Sequence, residues 1–395
     1  MLKNKITMKY FWKMVGLALL TFVALYQSKG FGQVFALKPI YDYADIFSEG
    51  LAAVRIGKKY GFINRDGKVV IPPRFDRAHP FSEGYARVQI GKKFGYIDKE
   101  GTLLIQPRFG DARDFKGGLA VITLEEISWS GAFGSLSGKG RWGAINRKGE
   151  FVINPYVNVL FDFSDGYAVA SFGPVGDPTV GVFGSAGKVV VQPKFEYISK
   201  FSEGYAAALT SRDGWGFIRA DGQWSLQPRF DFLSYFQEGR AIFGECGGKV
   251  HKPYDYKLSS CKSGFVDYSG RVVIDAQFSA VQPFSESRAA VSFSDLGRPD
   301  TSAFSANPKM LWGYIETTGA VVIDPIYREV RPFREGIAAV QEAVGGRDSG
   351  GWRFIDKSGR SLVTSTYEYV GDVSEGLAPV QTKSGKWGYL TFQNK

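Results

Sequence analysis

The sequence predicts an all-β fold built from tandem repeats, and three observations support this class. A turn motif typified by Phe47-Ser48-Glu49-Gly50 occurs in nine copies, an Ala lies two residues after each copy, and a pair of an aromatic residue and Gly recurs between the turns. A fixed internal period of this kind is the signature of a repeat architecture. Aromatic residues make up 15% of the chain and Gly numbers 49, which favours short strands and tight turns over helices.

The spacing of the motifs separates a rigid block from a variable connection. From Gly61 to Gly84 the chain runs 23 residues, and all eight complete copies keep this length, whereas the connection from turn to aromatic-Gly pair varies from 11 to 26. A block of fixed length indicates a packed module, and the variable part indicates a surface loop. The three longest loops are residues 122–141, 244–263 and 292–311.

Each repeat of about 34 residues is predicted to be a three-stranded β-meander. In the first copy the expected strands are residues 51–56, 60–64 and 69–71, with Gly67 in a hairpin turn and Pro72-Pro73 ending the last strand. A single meander buries too little surface to be stable, so neighbouring repeats must complete each core.

The repeated positions are predicted to be structural. We expect the carboxylate to cap N–H groups of its own turn, the aromatic residue to fill the core, and Gly to permit close approach of another backbone. The alternatives are a carboxylate ladder for cations, an aromatic platform for sugars, and a basic stripe formed by Arg74, Arg108, Lys194 and Arg229. The structural positions are Glu49, Gly50, Gly61, Glu83, Gly84, Gly95, Trp142, Gly143, Glu203, Gly204, Trp215, Gly216, Trp312, Gly313, Glu335, Gly336, Glu375, Gly376, Trp387 and Gly388.

The motifs Lys386-Trp387-Gly388-Tyr389 and Phe201-Ser202-Glu203-Gly204 resemble the WG (or KWG) repeat family of bacterial proteins. The resemblance extends over residues 33–395, with atypical copies at Val180, Ser263 and Arg353. It implies a repeat scaffold, and it carries over no catalytic residue and no cofactor.

The ends of the chain leave two arrangements of the repeats open. Residues 33–41 align with residues 67–75, which hold the last expected strand of a repeat, and residues 387–392 align with the middle strand, which is not continued. Three strands per unit favour an open, twisted, solenoid-like array, because propeller blades usually have four. The alternative is a closed propeller-like ring in which the N- and C-terminal strands complete one unit.

The N-terminal segment differs from the rest of the chain. Basic residues between Lys3 and Lys13 precede an apolar run over residues 14–26, which is shorter than the roughly 20 residues of a membrane span. Residues 1–32 are therefore predicted to be a signal peptide, with an uncleaved membrane anchor as the alternative. This segment holds five Lys and no acidic residue, so the formal net charge falls from +10 to +5 without it. We expect an exported protein of the periplasm, envelope or extracellular space, and no nucleic-acid partner.

The two cysteines, Cys246 and Cys261, lie 15 residues apart in one long loop. In an exported chain such a pair predicts a local disulfide. A Cys/His metal site including His251 is the alternative, although the spacing matches no zinc signature.

The predicted function is a non-catalytic binding scaffold of the cell envelope that contacts a protein or polysaccharide through the long loops on one side of the array. Candidate binding residues in these loops are Trp129, Phe133, His251, Tyr254 and Phe304. We expect no catalytic residue, metal or cofactor, and membrane contact only through an uncleaved N-terminal segment. The alternatives are a hydrolase, carbohydrate-active or otherwise, that uses the carboxylates of Glu125, Glu126, Asp177 or Glu245, and a structural spacer.

Overall fold

The computed structural model describes residues 35–126, 141–173, 179–210, 213–247, 261–293, 311–343 and 350–392. Every regular element in these ranges is a β-strand. No helix with the length and apolarity to cross a membrane occurs among them. The nine repeat units begin at residues 42, 76, 110, 158, 196, 231, 279, 328 and 368, and the ninth is completed by residues 35–41.

The strands follow one another in the same order in successive units. The first strand of the chain, β1 (Phe35–Tyr41), belongs to the ninth unit. In the first five units the strands are β2 (Tyr43–Ser48), β3 (Leu51–Ile56), β4 (Lys59–Asn64), β5 (Val69–Phe75), β6 (Arg77–Ala78), β7 (Ala86–Ile90), β8 (Lys93–Ile97), β9 (Leu103–Phe109), β10 (Asp111–Ala112), β11 (Leu119–Thr123), β12 (Trp142–Asn146), β13 (Phe151–Val157), β14 (Val159–Leu160), β15 (Tyr167–Ser171), β16 (Val180–Gly184), β17 (Val189–Phe195), β18 (Tyr197–Ile198), β19 (Ala206–Thr210), β20 (Gly214–Ile218) and β21 (Trp224–Phe230). In the last four units they are β22 (Phe232–Gln237), β23 (Arg240–Glu245), β24 (Lys262–Val266), β25 (Val272–Phe278), β26 (Ala280–Val281), β27 (Arg288–Phe293), β28 (Leu311–Glu316), β29 (Val321–Val330), β30 (Ile337–Glu342), β31 (Trp352–Asp356), β32 (Tyr369–Val370), β33 (Leu377–Gln381) and β34 (Trp387–Thr391).

A typical unit has four antiparallel strands, one more than the sequence predicts. In the second unit the sheet order is β6-β7-β8-β9, and β6 pairs with β7 through Arg77 opposite Gln89 and Ala78 opposite Val88. The additional first strand was missed because two residues are too few to show an alternating pattern. In the sequence this strand is marked only by its apolar residue, which is the buried Ala78 in this unit.

The fourth strand of the unit is longer than predicted. In the first unit β5 passes through Pro72 and Pro73 and ends at Phe75, so the expected end at Ile71 is wrong. This strand lies at the edge of its sheet, where an N–H group lost to Pro needs no partner.

The strands form eight sheets arranged in a ring, a β-propeller, so the open array is wrong and the closed alternative is confirmed. The ring closes where β1 pairs with β34, giving a sheet of order β1-β34-β33-β32. Seven sheets have four strands, and the eighth has six because β29 runs without a break from the seventh unit into the eighth. The eight sheets therefore carry nine repeat units. The additional first strand makes closure possible, since it gives a typical unit the four strands of a propeller blade.

The hydrophobic core lies between adjacent units. One cluster combines Phe62, Ile71 and Phe75 of the first unit with Phe81 and Ala86 of the second, and all five side chains are buried. The rings of Phe62 and Phe81 lie 5.0 Å apart. Ala at the position of Ala86 leaves space for these rings, which explains its recurrence in every unit.

Candidate functional site

The Phe-Ser-Glu-Gly motif, which we call the carboxylate turn, joins each unit to the next one in the chain. Both oxygens of the Glu49 carboxylate accept from the Gly84 N–H of the following turn, at 3.2 and 3.1 Å. Glu375 accepts in the same way from Gly50, at 3.1 and 3.2 Å, across the point where the ring closes. The prediction that the carboxylate caps its own turn is therefore corrected. The turn's own amides already pair, as Ser82 N with Tyr85 O at 2.8 Å, so the carboxylate reaches its neighbour instead.

The acidic residue of this turn has a left-handed backbone. Glu49 and Glu83 both have φ of 55°, and the following Gly50 and Gly84 are also positive. Such a backbone is unfavourable for a residue with a side chain. A second contact reinforces the junction, because Ser48 Oγ donates to Phe81 O and Ser374 Oγ to Phe47 O, both at 2.7 Å. The repeated carboxylates thus hold successive units of the ring together.

The aromatic-Gly pairs belong to the core. Trp142 and Trp215 are buried, and the Trp215 ring lies 5.4 Å from Tyr197 and 5.7 Å from Phe232 of the next unit. A Cβ atom on Gly216 would lie 2.8 Å from Pro228 N and closer still to Leu226 O. The Gly is therefore required where the third and fourth strands meet, as predicted from the sequence.

The basic residues after the repeated Pro also connect units. Arg74 donates to Gly101 O of the next unit at 2.5 Å, and Arg229 to Gly270 O at 2.7 Å. Their guanidinium groups lie 5.0 and 5.2 Å from the rings of the adjacent Phe75 and Phe230. These residues hold the outer edges of the blades together.

The eighth unit shows the consequence of replacing the Gly. Arg353 occupies its position and pairs with Glu342 at 2.7 Å. In place of a fourth strand, residues 361 and 367 form only isolated bridges with Ile355 and Trp352. A cleft of about 500 Å³ lies there, lined by Phe35, Thr364, Ser365, Thr366, Tyr367, Thr382 and Lys383.

A partly buried histidine, His79, lies just after β6 and belongs to a polar cluster with Arg87 of β7 and with Asp114, which lies just after β10. Arg87 pairs with Asp114 at 2.9 Å and approaches His79 Nδ1 at 3.1 Å. Because a guanidinium can only donate, Nδ1 accepts and His79 is neutral. Burial, followed by the charges of Arg87 and Arg77, lowers the pKa of His79 to about 3. Burial raises the pKa of the nearby Asp45.

This cluster predicts a pH dependence of stability. Unfolded His titrates near 6.5 and folded His79 near 3, so the unfolded state binds more protons and stability falls as pH drops from about 6.5 toward 3. Between pH 7 and pH 4 we expect the wild type to lose about 3 kcal/mol more unfolding free energy than His79→Gln. Urea denaturation at the two pH values measures this. Equal losses in both proteins would contradict it, and the opposing effect of Asp45 cancels because both proteins retain it.

In each unit, the connection between the second and third strands lies at the same end of the sheet as the first residue of the unit. We call this surface the loop-bearing face. Asp42 Oδ2 accepts from Gly57 N at 2.6 Å, and Asp76 and Asp231 accept likewise from Gly91 and Cys246, both at 2.8 Å. Sequence reasoning missed this corner carboxylate, although an acidic residue follows the last aromatic residue of the repeat in five of the nine copies, which are Asp42, Asp76, Glu196, Asp231 and Glu368. The carboxylate turns lie at the other end, where Lys99 of a hairpin pairs with Glu49 at 3.1 Å.

All three long loops leave from the loop-bearing face. Their described ends are Thr123 and Trp142, Glu245 and Lys262, and Phe293 and Leu311, which in each case close the second strand and open the third. In the third unit Gly110 replaces the corner carboxylate, since a Cβ there would meet the backbone of Glu125.

The predicted binding residues in these loops, Trp129, Phe133, His251, Tyr254 and Phe304, lie outside the described residues, as do Asp177 and residues 1–34. Of the other loop carboxylates, Glu126 lies 3.5 Å from Lys92 and 3.9 Å from Lys93, and Glu245 ends β23. Nothing in the described ranges groups three or more His, Cys, Asp or Glu side chains around a possible metal position.

Cys246 and Cys261 form a disulfide with Cα atoms 4.3 Å apart, at the base of the second long loop. Cys261 is buried, and Asp231 holds the Cys246 amide. In the chain-entropy model a closed loop of this size restricts the unfolded state by about 3 kcal/mol.

Reduction of this bond is expected to loosen the base of the loop and leave the ring intact. Amide exchange of Cys246, Gly247 and Lys262 should accelerate, whereas Phe265 and Val266 of the buried strand should stay protected. Hydrogen-exchange mass spectrometry with and without reductant measures both regions. Loss of protection across the whole sixth unit would contradict a local role.

The fold and its contacts define a class, that of β-propellers assembled from short tandem repeats. Within this class the chain belongs to the family described as WG containing repeat, whose model matches nine times, at residues 31–60, 60–94, 94–126, 142–173, 181–210, 215–249, 264–296, 312–343 and 352–387. This confirms the resemblance read from the motifs. No curated protein matches the chain.

Several solved structures share parts of the fold at low similarity. The computationally designed Ika8 protein is 12% identical with a TM-score of 0.42, and the match covers 80% of this chain and 95% of that one. BamB from Moraxella catarrhalis is 12% identical with a TM-score of 0.32, over 64% and 81% of the two chains. The tricorn protease is 11% identical with a TM-score of 0.30, over 85% and 42%.

Proposed function

We propose that the protein is an exported, non-catalytic binding scaffold of the cell envelope that contacts a protein or polysaccharide through the long loops of the loop-bearing face. The observation that carries this proposal is the shared origin of the loops. The three longest connections all join a second strand to a third, so the rotation of units around the ring brings them to the same side. Loops on one side of a repeat ring form a natural contact surface.

The contacts within the ring support the same assignment. The repeated carboxylates, aromatic residues and basic residues are engaged between units, as Glu49 is with Gly84 and Arg74 with Gly101. The first and second units form four-stranded sheets with short connections, so a long loop is not required to build a blade. Export is supported by the basic and apolar pattern of residues 1–32 and by the disulfide at a loop base.

Loop replacement tests the proposal. Each long loop is exchanged for the short connection Gly57-Lys58 of the first unit, and the purified variants are used in pull-downs from envelope extract and on a glycan array. The matched control is Lys58→Ala, which changes an exposed residue of a short connection on the same face without removing a loop.

We expect at least one loop replacement to abolish a contact that the wild type and the control both make. The array and the extract distinguish a polysaccharide from a protein partner. If all three replacements together keep every contact of the wild type, the loops are dispensable and the proposal is wrong.

A further inference from the structure

One junction of the ring lacks the carboxylate that every other junction has. At eight junctions an acidic side chain accepts from one or two N–H groups of the following turn; the donors are Gly50, Gly84, Gly117 with Gly118, Gly204, Gly239, Glu286 with Ser287, Gly336, and Glu375 with Gly376. Between the third and fourth units Gly117 stands where the acidic residue belongs. Among the residues that the structure describes, none places an acceptor on the N–H of Gly166.

The turn that faces this junction has the same form as the occupied ones. Asp165 and Gly166 have φ of 52° and 81°, against 55° and 82° for Glu83 and Gly84. Ser164 N and Tyr167 O pair at 2.9 Å, as the equivalent atoms do in the second unit at 2.8 Å. The N–H groups of Asp165 and Gly166 are therefore arranged as the equivalent groups are at the junctions where they bind a carboxylate. Successive N–H groups of such a turn form an anion-binding concavity.

The side chains around this slot are also altered. Lys116 replaces the Ser of the turn, and its ammonium pairs with Asp162 at 2.9 Å. Arg113 approaches the same carboxylate at 3.4 Å. Two cations, Lys116 and Arg113, thus share the single carboxylate of Asp162, which leaves one positive charge in excess beside the turn.

The hairpin next to this junction also differs from hairpins at other junctions. Lys99, Arg147 and Lys357 pair with the carboxylates of Glu49, Glu83 and Glu286 at 3.1, 2.8 and 3.1 Å. In the fourth unit the equivalent residue is Ser185, which is exposed, so this hairpin brings no cation to the junction. The hairpins of the fifth to seventh units bring none either, since Ala220, Tyr268 and Thr317 occupy this position there.

We propose that the slot formed by Gly117, Asp165 and Gly166 binds the side-chain carboxylate of an acidic peptide segment in a partner protein. That Asp or Glu takes the place that an internal carboxylate holds at the other eight junctions. The slot lies on the face of the carboxylate turns, away from the long loops. It is thus a second contact surface, independent of the loop-bearing face.

The direct probe is acetate, titrated into the full-length protein while the Gly166 and Asp165 amide resonances are followed by NMR, with chloride at equal ionic strength as the reference. Gly117→Glu supplies the missing side chain from within, and φ of 61° with open space around the Cβ position permits it. Gly117→Ala is the matched control, because it adds the Cβ without the carboxylate. Lys116→Ser removes the ammonium and restores the residue of other junctions.

In the wild type and Gly117→Ala we expect acetate to shift both resonances to saturation. Gly117→Glu should weaken the apparent affinity by about tenfold or more, and Lys116→Ser should weaken it by a smaller factor. A response that does not saturate, or that is equal in Gly117→Glu, would overturn the slot.

A separate titration tests whether the partner is an acidic peptide. A Glu-containing peptide with an amidated C-terminus should shift Gly166, and its Gln counterpart should not. If phosphate or a uronic acid polymer shifts Gly166 while neither peptide does, the peptide assignment is wrong. Both results are independent of the loop replacements, so either proposal can fail alone.

Discussion

Gly216→Ala is expected to lower the free energy of unfolding by about 3 kcal/mol, although it adds only one methyl group. The Cβ would lie 2.8 Å from Pro228 N and nearer to Leu226 O, and both are backbone atoms that cannot rotate away. Relief requires β20 and β21 to separate, which disrupts the edge strand of the fifth unit. Urea denaturation followed by tryptophan fluorescence measures the loss, since Trp215 is fully buried beside the mutation.

The matched control is Gly184→Ala. Its Cβ would lie 3.2 Å from Val190 Cγ1, a side-chain atom that can move, and 3.9 Å from the nearest backbone atom, Lys188 O. We expect a loss below about 1 kcal/mol there. Equal losses at the two positions would show that the close backbone approach is not what requires Gly. The eighth unit supports the expectation, because it has Arg353 at this position and lacks a regular fourth strand.

Much of the local structure could be predicted from the sequence. Residues 51–56 and 60–64 of the first unit were expected as strands and are found as β3 and β4, with β4 starting one residue earlier. These segments are short, mainly apolar runs bounded by Gly turns, so local pattern and final structure agree. The role of Gly216 could also be predicted, since a Gly in a strand indicates close approach of another backbone.

The closed ring could not be predicted in the same way. It depends on β32 and its counterparts, strands of two residues in most units, which leave no periodic signal. It also depends on contacts between residues far apart in the chain, such as Glu375 with Gly50. The complementary ends of the chain allowed closure and did not require it. The number of strands per unit decided between array and ring, and that number was undercounted.

The partners of the repeated carboxylates were missed for a related reason. A Glu-Gly pair indicates a tight turn, and a turn usually satisfies its own N–H groups. Here Ser82 and Tyr85 pair with each other, which leaves the Gly84 N–H directed at the preceding unit. The eight acidic residues have an unfavourable left-handed φ, which implies a compensating contact, but this φ is visible only in the structure.

Tyr389→Ala is expected to lower the free energy of unfolding by about 3–5 kcal/mol and to release β1 from the ring. The Tyr389 side chain is fully buried in the cluster that joins the two ends of the chain. Its ring lies 4.9 Å from Phe47, and its hydroxyl donates to Asp45 O at 2.7 Å. Truncation leaves a cavity between the ninth and first units and removes the partner of the Asp45 carbonyl in β2. The cavity borders β1 and β34, which pair in the one sheet whose strands come from both ends of the chain.

The matched control for this variant is Tyr314→Ala, at the same position of the seventh unit. Tyr314 is also buried, lies 4.9 Å from Phe333, and donates to Arg331 O at 2.8 Å. The two variants should lose similar free energy, because they lose equivalent contacts. Amide exchange of residues 35–41 should rise about tenfold or more in Tyr389→Ala alone, since only there does the cavity lie against β1. If both variants release β1, or neither does, the ends of the chain do not form the weak point of the ring.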